Sequence, residues 1–276
     1  MEKLMQGKKV LIMGIANDKS MAWAIAEQLR EQGADIACTY LPFTEKRVKP
    51  LAEKLGSEIV MPGDVQNDEE MDILFAEIEK KWGKLDAVLH AIGFSNKEEL
   101  DNKFGFVNTT RENFKNTMDV SCFSYIDVCK RASKLMVDGG SCLTLTYYGG
   151  EKVVDNYNVM GVAKAALDMS TKYLAANLGL KGIRVNAISA GPIKTLAAMG
   201  ISGFRLMLKL NELNAPLRRN IVLDDVAKAG MYMMSDLSSG VTGEIHHVDC
   251  GFNVMGGMTA DTIEEQTAIL KEAIEK

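Results

Sequence analysis

Residues 8–26, KKVLIMGIANDKSMAWAIA, join an apolar strand pattern to a helical pattern through a short turn. The apolar run at 10–13 predicts a buried strand, and the spacing of apolar residues over 21–32 predicts an amphipathic helix. Between them, Gly14 permits a tight turn and Ser20 is a suitable N-cap residue. A strand, a turn and a helix in this order form the first unit of a parallel α/β sheet.

The same alternation continues along the chain. Further apolar runs predict strands at 36–40, 59–61, 87–91, 142–146, 185–188 and 245–248. Helical patterns lie between them at 48–55, 69–82, 112–136, 157–178 and 224–234. Continuous apolar strands that alternate with helices are typical of a parallel sheet covered on both faces. We therefore predict an α/β fold of the Rossmann type: one domain over 1–276, with a doubly wound parallel sheet of about seven strands.

The composition and charge of the chain argue against several classes of function. The 276 residues are 47% hydrophobic and 25% charged, which suits a globular protein with a sizeable core. The net charge of −5, without a basic block, argues against nucleic-acid and membrane partners. The apolar stretch at 10–15 is too short for a membrane span and lacks a signal-peptide pattern. Five scattered cysteines, three histidines and no Cys-x-x-Cys pair predict reduced thiols, no metal site and a cytoplasmic location.

Three segments depart from the alternation. The long connections at 93–109 and 191–216 follow the fourth and sixth predicted strands. In a doubly wound sheet the ligand crevice lies beyond the carboxyl ends of the strands, so both are candidates for cofactor and substrate contacts. A charged helical pattern at 261–276 ends the chain; docking on the body, docking on a neighbouring subunit and fraying are all open.

The turn after the first strand suits a pyrophosphate. It lacks the Gly-x-Gly-x-x-Gly pattern, since only Gly14 is glycine. Gly14 nevertheless lets the chain pass close to a ligand, and Ser20 places a hydroxyl beside the positive end of a helix. A helix-capping turn that binds no ligand is common and would also account for Gly14 and Ser20.

Two later turns strengthen the nucleotide interpretation. Asp64 and Val65 follow the third strand, where a carboxylate could accept the adenine amino group. Ile92 and Gly93 follow the fourth, where a glycine lets the backbone approach the cofactor ribose. Taken alone, Asp64 is better explained as a turn or capping aspartate.

The choice of cofactor depends on the second strand. An acidic residue about 20 positions after the glycine turn would favour the free ribose 2′-hydroxyl of NADH. The strand ends instead at Leu41, and the nearby Lys46 and Arg47 could meet a 2′-phosphate or open a helix as solvated charges. We favour NADH and leave NADPH open.

The candidate chemical groups are Tyr157 and Lys164. On one helix, residues seven apart return to nearly the same face and lie roughly 10 Å apart along the axis. A long lysine side chain can then reach a ligand that the tyrosine also touches. The phenol would donate to an oxygen that gains negative charge, and the ammonium would hold the cofactor and add positive potential.

At these residues the chain resembles the short-chain dehydrogenase/reductases, and more closely their divergent branch, the bacterial enoyl-[acyl-carrier-protein] reductases. Commoner members carry Tyr-x-x-x-Lys, whereas Tyr157 and Lys164 give the Tyr-x6-Lys spacing of the enoyl reductases. The other stretches that carry the resemblance are 14–26, 92–94, 157–161, 184–195 and 243–249.

The resemblance implies reduction of the trans-2 double bond of an enoyl-[acyl-carrier-protein] thioester by NADH. Tyr157 would bind the thioester carbonyl, Lys164 the nicotinamide ribose, and Tyr147 would line the acyl site. Ile193 and Thr195 would hold the nicotinamide and its neighbouring phosphate. The implied cofactor set comprises Gly14, Ser20, Met21, Leu41, Asp64, Val65, Ile92, Gly93, Lys164, Ile193 and Thr195.

The resemblance also implies partners. The acyl carrier protein would deliver the substrate, and Arg205 and Lys209 could meet its acidic surface. A homotetramer would pack through the helices at 112–136 and 157–178. The segment at 191–216, rich in methionine and other apolar residues, would cover the acyl chain as a lid; a core or subunit-packing helix is the alternative.

Some residues fall outside this assignment. Leu41 stands where relatives often carry Gln, Cys250 replaces a common glycine, and a polar insert lies at 102–108. We interpret the three histidines as structural; they are His90, His246 and His247.

The residues disfavour two other functions. A carbonyl reductase of the same superfamily is disfavoured because Gly161, not lysine, stands four residues after Tyr157. A non-catalytic dinucleotide-binding sensor would be expected to lose Tyr157 or Lys164, and both are present.

Overall fold

The computed structural model describes residues 3–101, 103–195 and 203–274. Its strands are β1 (Lys9–Met13), β2 (Asp35–Tyr40), β3 (Ile59–Pro62), β4 (Ala87–His90), β5 (Gly140–Thr146), β6 (Ile183–Ala190) and β7 (Ile245–Val248). They form one seven-stranded sheet in the order β3-β2-β1-β4-β5-β6-β7, with every neighbouring pair parallel. The chain winds outward in one direction from β1 and in the other from β4. The predicted doubly wound fold is therefore confirmed.

The helices are α1 (Met21–Glu31), α2 (Glu45–Lys54), α3 (Asp68–Trp82), α4 (Arg111–Met118), α5 (Ser124–Leu135), α6 (Asn158–Leu178), α7 (Phe204–Asn214), α8 (Leu223–Met234) and α9 (Ile263–Ile274). The helix predicted at 112–136 is in fact α4 and α5, joined by a π-helical turn at Asp119–Phe123. Apolar spacing does not reveal this turn, because its buried residues include polar Ser121. None of the helices in the described ranges is long and apolar enough to cross a membrane.

Alternation along the strands builds two apolar cores. Val10 and Ile12 of β1 face the layer that contains α1, α2 and α8, while Leu11 and Met13 face the layer that contains α3, α5 and α6. All four side chains are fully buried. Because successive side chains of a strand point to opposite faces, a continuous apolar run is needed to satisfy both layers.

The turn after β1 packs tightly against the chain leaving β4. Gly14 has φ of 99°, and a Cβ on it would lie 2.1 Å from the carbonyl oxygen of Ala91. The strand β4 ends at His90, one residue short of its predicted end at Ala91. Gly14 therefore brings the carboxyl ends of β1 and β4 together at the point where the winding direction reverses, which is where ligands bind in such sheets.

The C-terminal segment docks on the body through α7. Asn214 Nδ2 donates to Gln266 Oε1 at 2.9 Å, and Gln266 Nε2 donates back to Asn214 Oδ1 at 3.1 Å. Both side chains are buried. Nearby, Arg218 Nη2 lies 2.8 Å from both carboxylate oxygens of Asp261. Of the three alternatives for this segment, the structure shows docking on its own chain.

Candidate active site

Two tyrosines form an edge-to-face pair at the carboxyl end of β5. The rings of Tyr147 and Tyr157 are 5.0 Å apart at an angle of 77°. Tyr157 is only 7% exposed. Burial raises the pKa of Tyr157 well above its usual value and that of Tyr147 to about 12. Both phenols therefore keep their protons near neutral pH and can act as hydrogen-bond donors.

The backbone around Tyr157 fixes this pair. Asn156 and Asn158 have φ of 66° and 43°, in the left-handed region that asparagine tolerates better than most residues. A Cβ on Gly149 would lie 2.5 Å from the Tyr157 ring, and one on Gly161 would lie 2.8 Å from the Gly149 carbonyl oxygen. The turn after β5 thus rests directly on the start of α6, which only residues without side chains allow.

Lys164 lies two turns into α6 and is 7% exposed. Its Nζ donates to the Leu145 carbonyl oxygen at 2.8 Å. Burial lowers the pKa of Lys164 to about 8, with opposing contributions from Asp168 and Cys122. A Cβ on Gly93 would lie 3.7 Å from this Nζ, so the backbone leaving β4 passes beside the ammonium. The structure thus brings the Lys164 ammonium to the same edge as Gly93.

Sequence reasoning missed two buried polar side chains of this region. Ser121, in the π-helical turn, accepts from Phe94 N at 2.9 Å and donates to Phe94 O at 3.1 Å, which fixes the loop after β4. Asp168 lies one helical turn beyond Lys164 and is 8% exposed. Nothing in a single sequence predicts a π turn, but an acid four residues after Lys164 on a mostly apolar helix was a readable signal for Asp168.

The predicted phosphate turn has the expected local structure. Ser20 is the N-cap residue of α1: its Oγ accepts from Trp23 N at 3.3 Å and donates to Asn17 O at 2.7 Å. Met21 opens the helix and packs against the core under α1. The N-terminus of α1 therefore lies at the carboxyl edge of the sheet, as an anionic phosphate requires.

The adenine side is less distinctive. Asp64 Oδ1 accepts from Gln66 N at 3.0 Å, so this side chain stabilises its own turn, as the simpler interpretation of Asp64 expects. Val65 and Ile92 are partly buried against the core under α3. Contacts of these residues with adenine or ribose remain predictions.

The loop after β2 is ordered by Thr44. Its Oγ1 donates to Leu41 O at 2.9 Å and accepts from Leu41 N at 3.0 Å. Lys46 and Arg47 are exposed on the first turn of α2. Their exposure on the first turn of a helix agrees with the interpretation of Lys46 and Arg47 as solvated charges.

One residue in the described part of the predicted lid segment, Met207, contacts the tyrosine pair. Ile193 packs partly buried against a core cluster and, with Thr195, follows the end of β6. The lid residues Met199 and Ile201 lie outside the described residues. Further on, α7 brings Met207 to the site, where Tyr147 Oη donates to its Sδ at 3.3 Å. Arg205 and Lys209 lie on this helix as well.

The region of the polar insert borders the tyrosines. Leu100 forms a buried apolar cluster with Tyr157 and Met160. Asn158 Nδ2 donates to Glu99 O at 2.7 Å, which ties the start of this loop to α6. Within the insert, Asn102 lies outside the described residues, and Phe106 and Val107 are exposed.

The histidines have local partners. His90 is fully buried between Thr144 Oγ1 at 3.1 Å and Ser124 Oγ at 2.8 Å, and burial lowers its pKa to about 3. His247 pairs with Glu151 at 2.7 Å. The His246 ring lies beside Tyr232. These contacts support structural roles.

The doubly wound sheet, the capped turn after β1 and the buried Tyr157–Lys164 pair beyond β5 define a dinucleotide-dependent reductase. Residues 14–253 match the sequence model of the enoyl-(acyl carrier protein) reductase family. The chain is 54% identical to an enoyl-[acyl-carrier-protein] reductase [NADH] of Rhizobium meliloti (strain 1021), over 94% of each chain. It is 53% identical to the enzyme FabI of Rickettsia typhi, over 92% of this chain and 97% of that one.

A solved structure gives the same result. The enoyl-(acyl-carrier-protein) reductase from Anaplasma phagocytophilum, in complex with NAD, superimposes with a TM-score of 0.90. The two sequences are 52% identical over 94% of this chain and 99% of that one. The chain belongs to the enoyl-[acyl-carrier-protein] reductase family.

Proposed function

We propose that this chain reduces the trans-2 double bond of enoyl-[acyl-carrier-protein] thioesters with NADH in fatty-acid biosynthesis. The observation that carries the proposal is the group formed by partly buried Tyr147 with buried Tyr157 and Lys164 at the carboxyl edge of the sheet. Relatives that are 45–54% identical carry this activity and NADH in their names. The residues below are assigned to that reaction.

The residues at the carboxyl edge of the sheet fit a dinucleotide. Gly14 and Ser20 form a close turn into the N-terminus of α1, where backbone N–H groups attract phosphate. Gly93 carries no side chain where the backbone runs beside Lys164. The cofactor set also includes Met21, Leu41, Asp64, Val65, Ile92, Ile193 and Thr195. When bound, NADH supplies the hydride that reduces the double bond.

Tyr157 stabilises the negative charge that develops on the thioester oxygen. Its raised pKa keeps the phenol protonated, so it donates a hydrogen bond to the enolate oxygen. Burial strengthens this bond, because little water competes for the donor. Tyr147 packs against the Tyr157 ring and lines the acyl side.

Lys164 holds the nicotinamide ribose and adds positive potential near the reacting oxygen. Because burial lowers its pKa to about 8, the charged form dominates at neutral pH and is lost as the pH rises through that value. Activity should therefore fall on the alkaline side, in step with deprotonation of Lys164.

We propose further that the chain works as a single domain, with a substrate lid at about 191–216, in a cytoplasmic homotetramer. One face of α6 exposes Val162, Met169 and Tyr173, and Phe123 is exposed beside α5, which supports packing between subunits. Light scattering that gives the mass of one chain would contradict the tetramer. Loss of soluble assembly on Tyr173→Glu would support this face as the contact.

The activity is tested by following NADH and NADPH oxidation with crotonyl thioesters and with a panel of ketones. Rapid oxidation of NADH with the thioester, strongly reduced in Tyr157→Phe and Lys164→Ala, is the expected result. Turnover of ketones alone would indicate a carbonyl reductase. Tight NADH binding without turnover of any substrate would indicate a sensor.

A further inference from the structure

The carboxyl group of Asp168 lies near Lys164 on α6 and has no part in the reaction proposed for Tyr157 and Lys164. Asp168 follows Lys164 by one turn on α6, so the two side chains share a face of the helix. A Cβ on Gly150 would lie 2.8 Å from Asp168 Oδ2. The turn after β5 therefore closes directly over this carboxyl group and keeps it away from solvent.

The surroundings of Asp168 are unusual for a carboxylate. Its Oδ1 is buried and has no hydrogen-bond partner among the described residues. The same is true of Oγ1 of Thr146, the last residue of β5. A buried carboxylate without full hydrogen bonding is costly unless a nearby charge compensates it. The buried cation that compensates Asp168 is Lys164, although the two do not form an ion pair in the described structure.

We propose that Asp168 is a positioning residue for the reductase reaction: its carboxylate keeps the buried Lys164 side chain charged and directed at the cofactor. This inference rests on the function proposed above. Asp168 acts on the reaction only through Lys164, whose Nζ is held on Leu145 O at the end of β5.

The charges around the pair agree with this role. Burial lowers the pKa of Lys164, and the largest opposing contribution comes from Asp168, followed by Cys122 of the π-helical turn. Burial raises the pKa of Asp168 to about 6, opposed by the Thr146 hydroxyl and by Lys164. Between these two pKa values both groups are charged.

Other titratable groups also face the pair. Glu151, in the turn after β5, raises the pKa of Asp168, and Lys172, one turn further along α6, lowers it. Asp168 in turn raises the pKa of Tyr157. On β4, His90 faces Lys164 and is neutral because it is fully buried. None of these groups except Asp168 supplies Lys164 with a buried carboxylate one helical turn away.

The test is the pH dependence of kcat in Asp168→Asn, which keeps the shape and removes the charge. We expect the alkaline limb to move to lower pH by about one unit, since a nearby opposite charge shifts a pKa by about that much or more. Turnover should then fall several-fold near pH 8 and stay close to wild type near pH 6.5. Asp168→Glu should return the limb toward its original position. Asp168→Ser, smaller and also neutral, should behave like Asp168→Asn.

Glu151→Gln is the matched control, because it also converts a carboxylate that faces this region into an amide and should leave the alkaline limb in place. An unshifted limb in both neutral variants would overturn the proposal. So would an equal loss of turnover at every pH that Asp168→Glu does not rescue, since that result indicates a structural role only.

The affinity for NADH, measured against pH by fluorescence, separates this inference from the proposed function. A charged Lys164 binds the cofactor whichever substrate is reduced, so the affinity of Asp168→Asn should weaken at lower pH than that of wild type. If wild type fails to reduce enoyl thioesters while this shift is present, the substrate assignment fails and the role of Asp168 stands. If wild type reduces them and no shift occurs, the role of Asp168 fails alone.

Discussion

The tyrosine pair between β5 and α6 and the neighbouring helix α7 are held in different ways. Around Tyr157 the backbone itself is the support: Gly149 and Gly161 allow contacts that no other residue fits. At α7 the support comes from side chains, among them buried Phe204 and Leu208 and the reciprocal amide pair of Asn214 and Gln266. Backbone contact between close-packed elements leaves little room to adjust, whereas a side-chain pair can break and re-form. The tyrosine pair is therefore more rigidly placed than α7.

The largest effect should come from Tyr157→Phe, which keeps the rigid packing and removes only the donor. We expect kcat to fall by about 100-fold or more, as for loss of a donor to a developing oxyanion. The folded state should be preserved, because the ring contact with Tyr147 does not need the hydroxyl. Steady-state kinetics and thermal unfolding of the same preparation give both values. Undiminished turnover would remove Tyr157 from the mechanism.

Next in size should be Gly149→Ala, which attacks the rigid region directly. The new methyl would lie 2.5 Å from the Tyr157 ring, and such overpacking costs about 1–3 kcal/mol of unfolding free energy. Gly179→Ala is the control, because a Cβ there has no atom within 4 Å. Denaturant unfolding should separate the two variants, with kcat reduced in the first only. Equal unfolding free energies for the two variants would show that the start of α6 can shift to accommodate the new methyl group.

A smaller and different effect is expected from Gln266→Leu. It removes both hydrogen bonds between Gln266 and Asn214, at a net cost of about 1–3 kcal/mol to the docking of α9, and the Asn214 amide keeps Leu210 O and Thr259 N as partners. Because α7 rather than the tyrosine pair is loosened, KM for the thioester should rise several-fold with little change in kcat. Glu264→Gln, on the exposed side of α9, is the control and should change neither constant. A drop in kcat at constant KM would mean that the two regions are mechanically coupled.

The smallest effect is expected from Met207→Leu. Leucine fills a similar volume but removes the sulfur that accepts from Tyr147 Oη at 3.3 Å. Because sulfur is a weak acceptor, KM should rise by about two- to three-fold and stability should stay nearly unchanged. Kinetics with a short and a long acyl thioester would locate the effect. A ten-fold rise in KM would show that the contact between Tyr147 and Met207 contributes more to holding α7 in place than we expect.

The order of strands and helices followed from the sequence because apolar runs of three to five residues that alternate with helical patterns are typical of a sheet buried on both faces. The position of Lys164 followed from helical geometry. The resemblance assigned a role to Tyr147, but no sequence pattern showed that its ring would meet Tyr157. Contacts between distant segments, such as Ser121 with Phe94 and Asn214 with Gln266, depend on how those segments pack against one another in the folded chain. Residue periodicity carries no information on such packing.

Element ends were predicted less well where polar residues begin or end a helix. α2 begins at Glu45 although its pattern indicates 48, because the exposed first turn adds nothing to an apolar period. Asp64 shows a related limit: its residue type suits both a turn and an adenine contact, and the structure shows the turn.

All five cysteines are buried and free, which has a practical consequence for measuring motion at α7. Maleimide dyes react with exposed thiolates, so the native side chains should label slowly. A cysteine introduced at exposed Glu264 on α9 would carry the fluorophore selectively. The fluorescence anisotropy of this label, followed during turnover, would report whether α9 separates from α7.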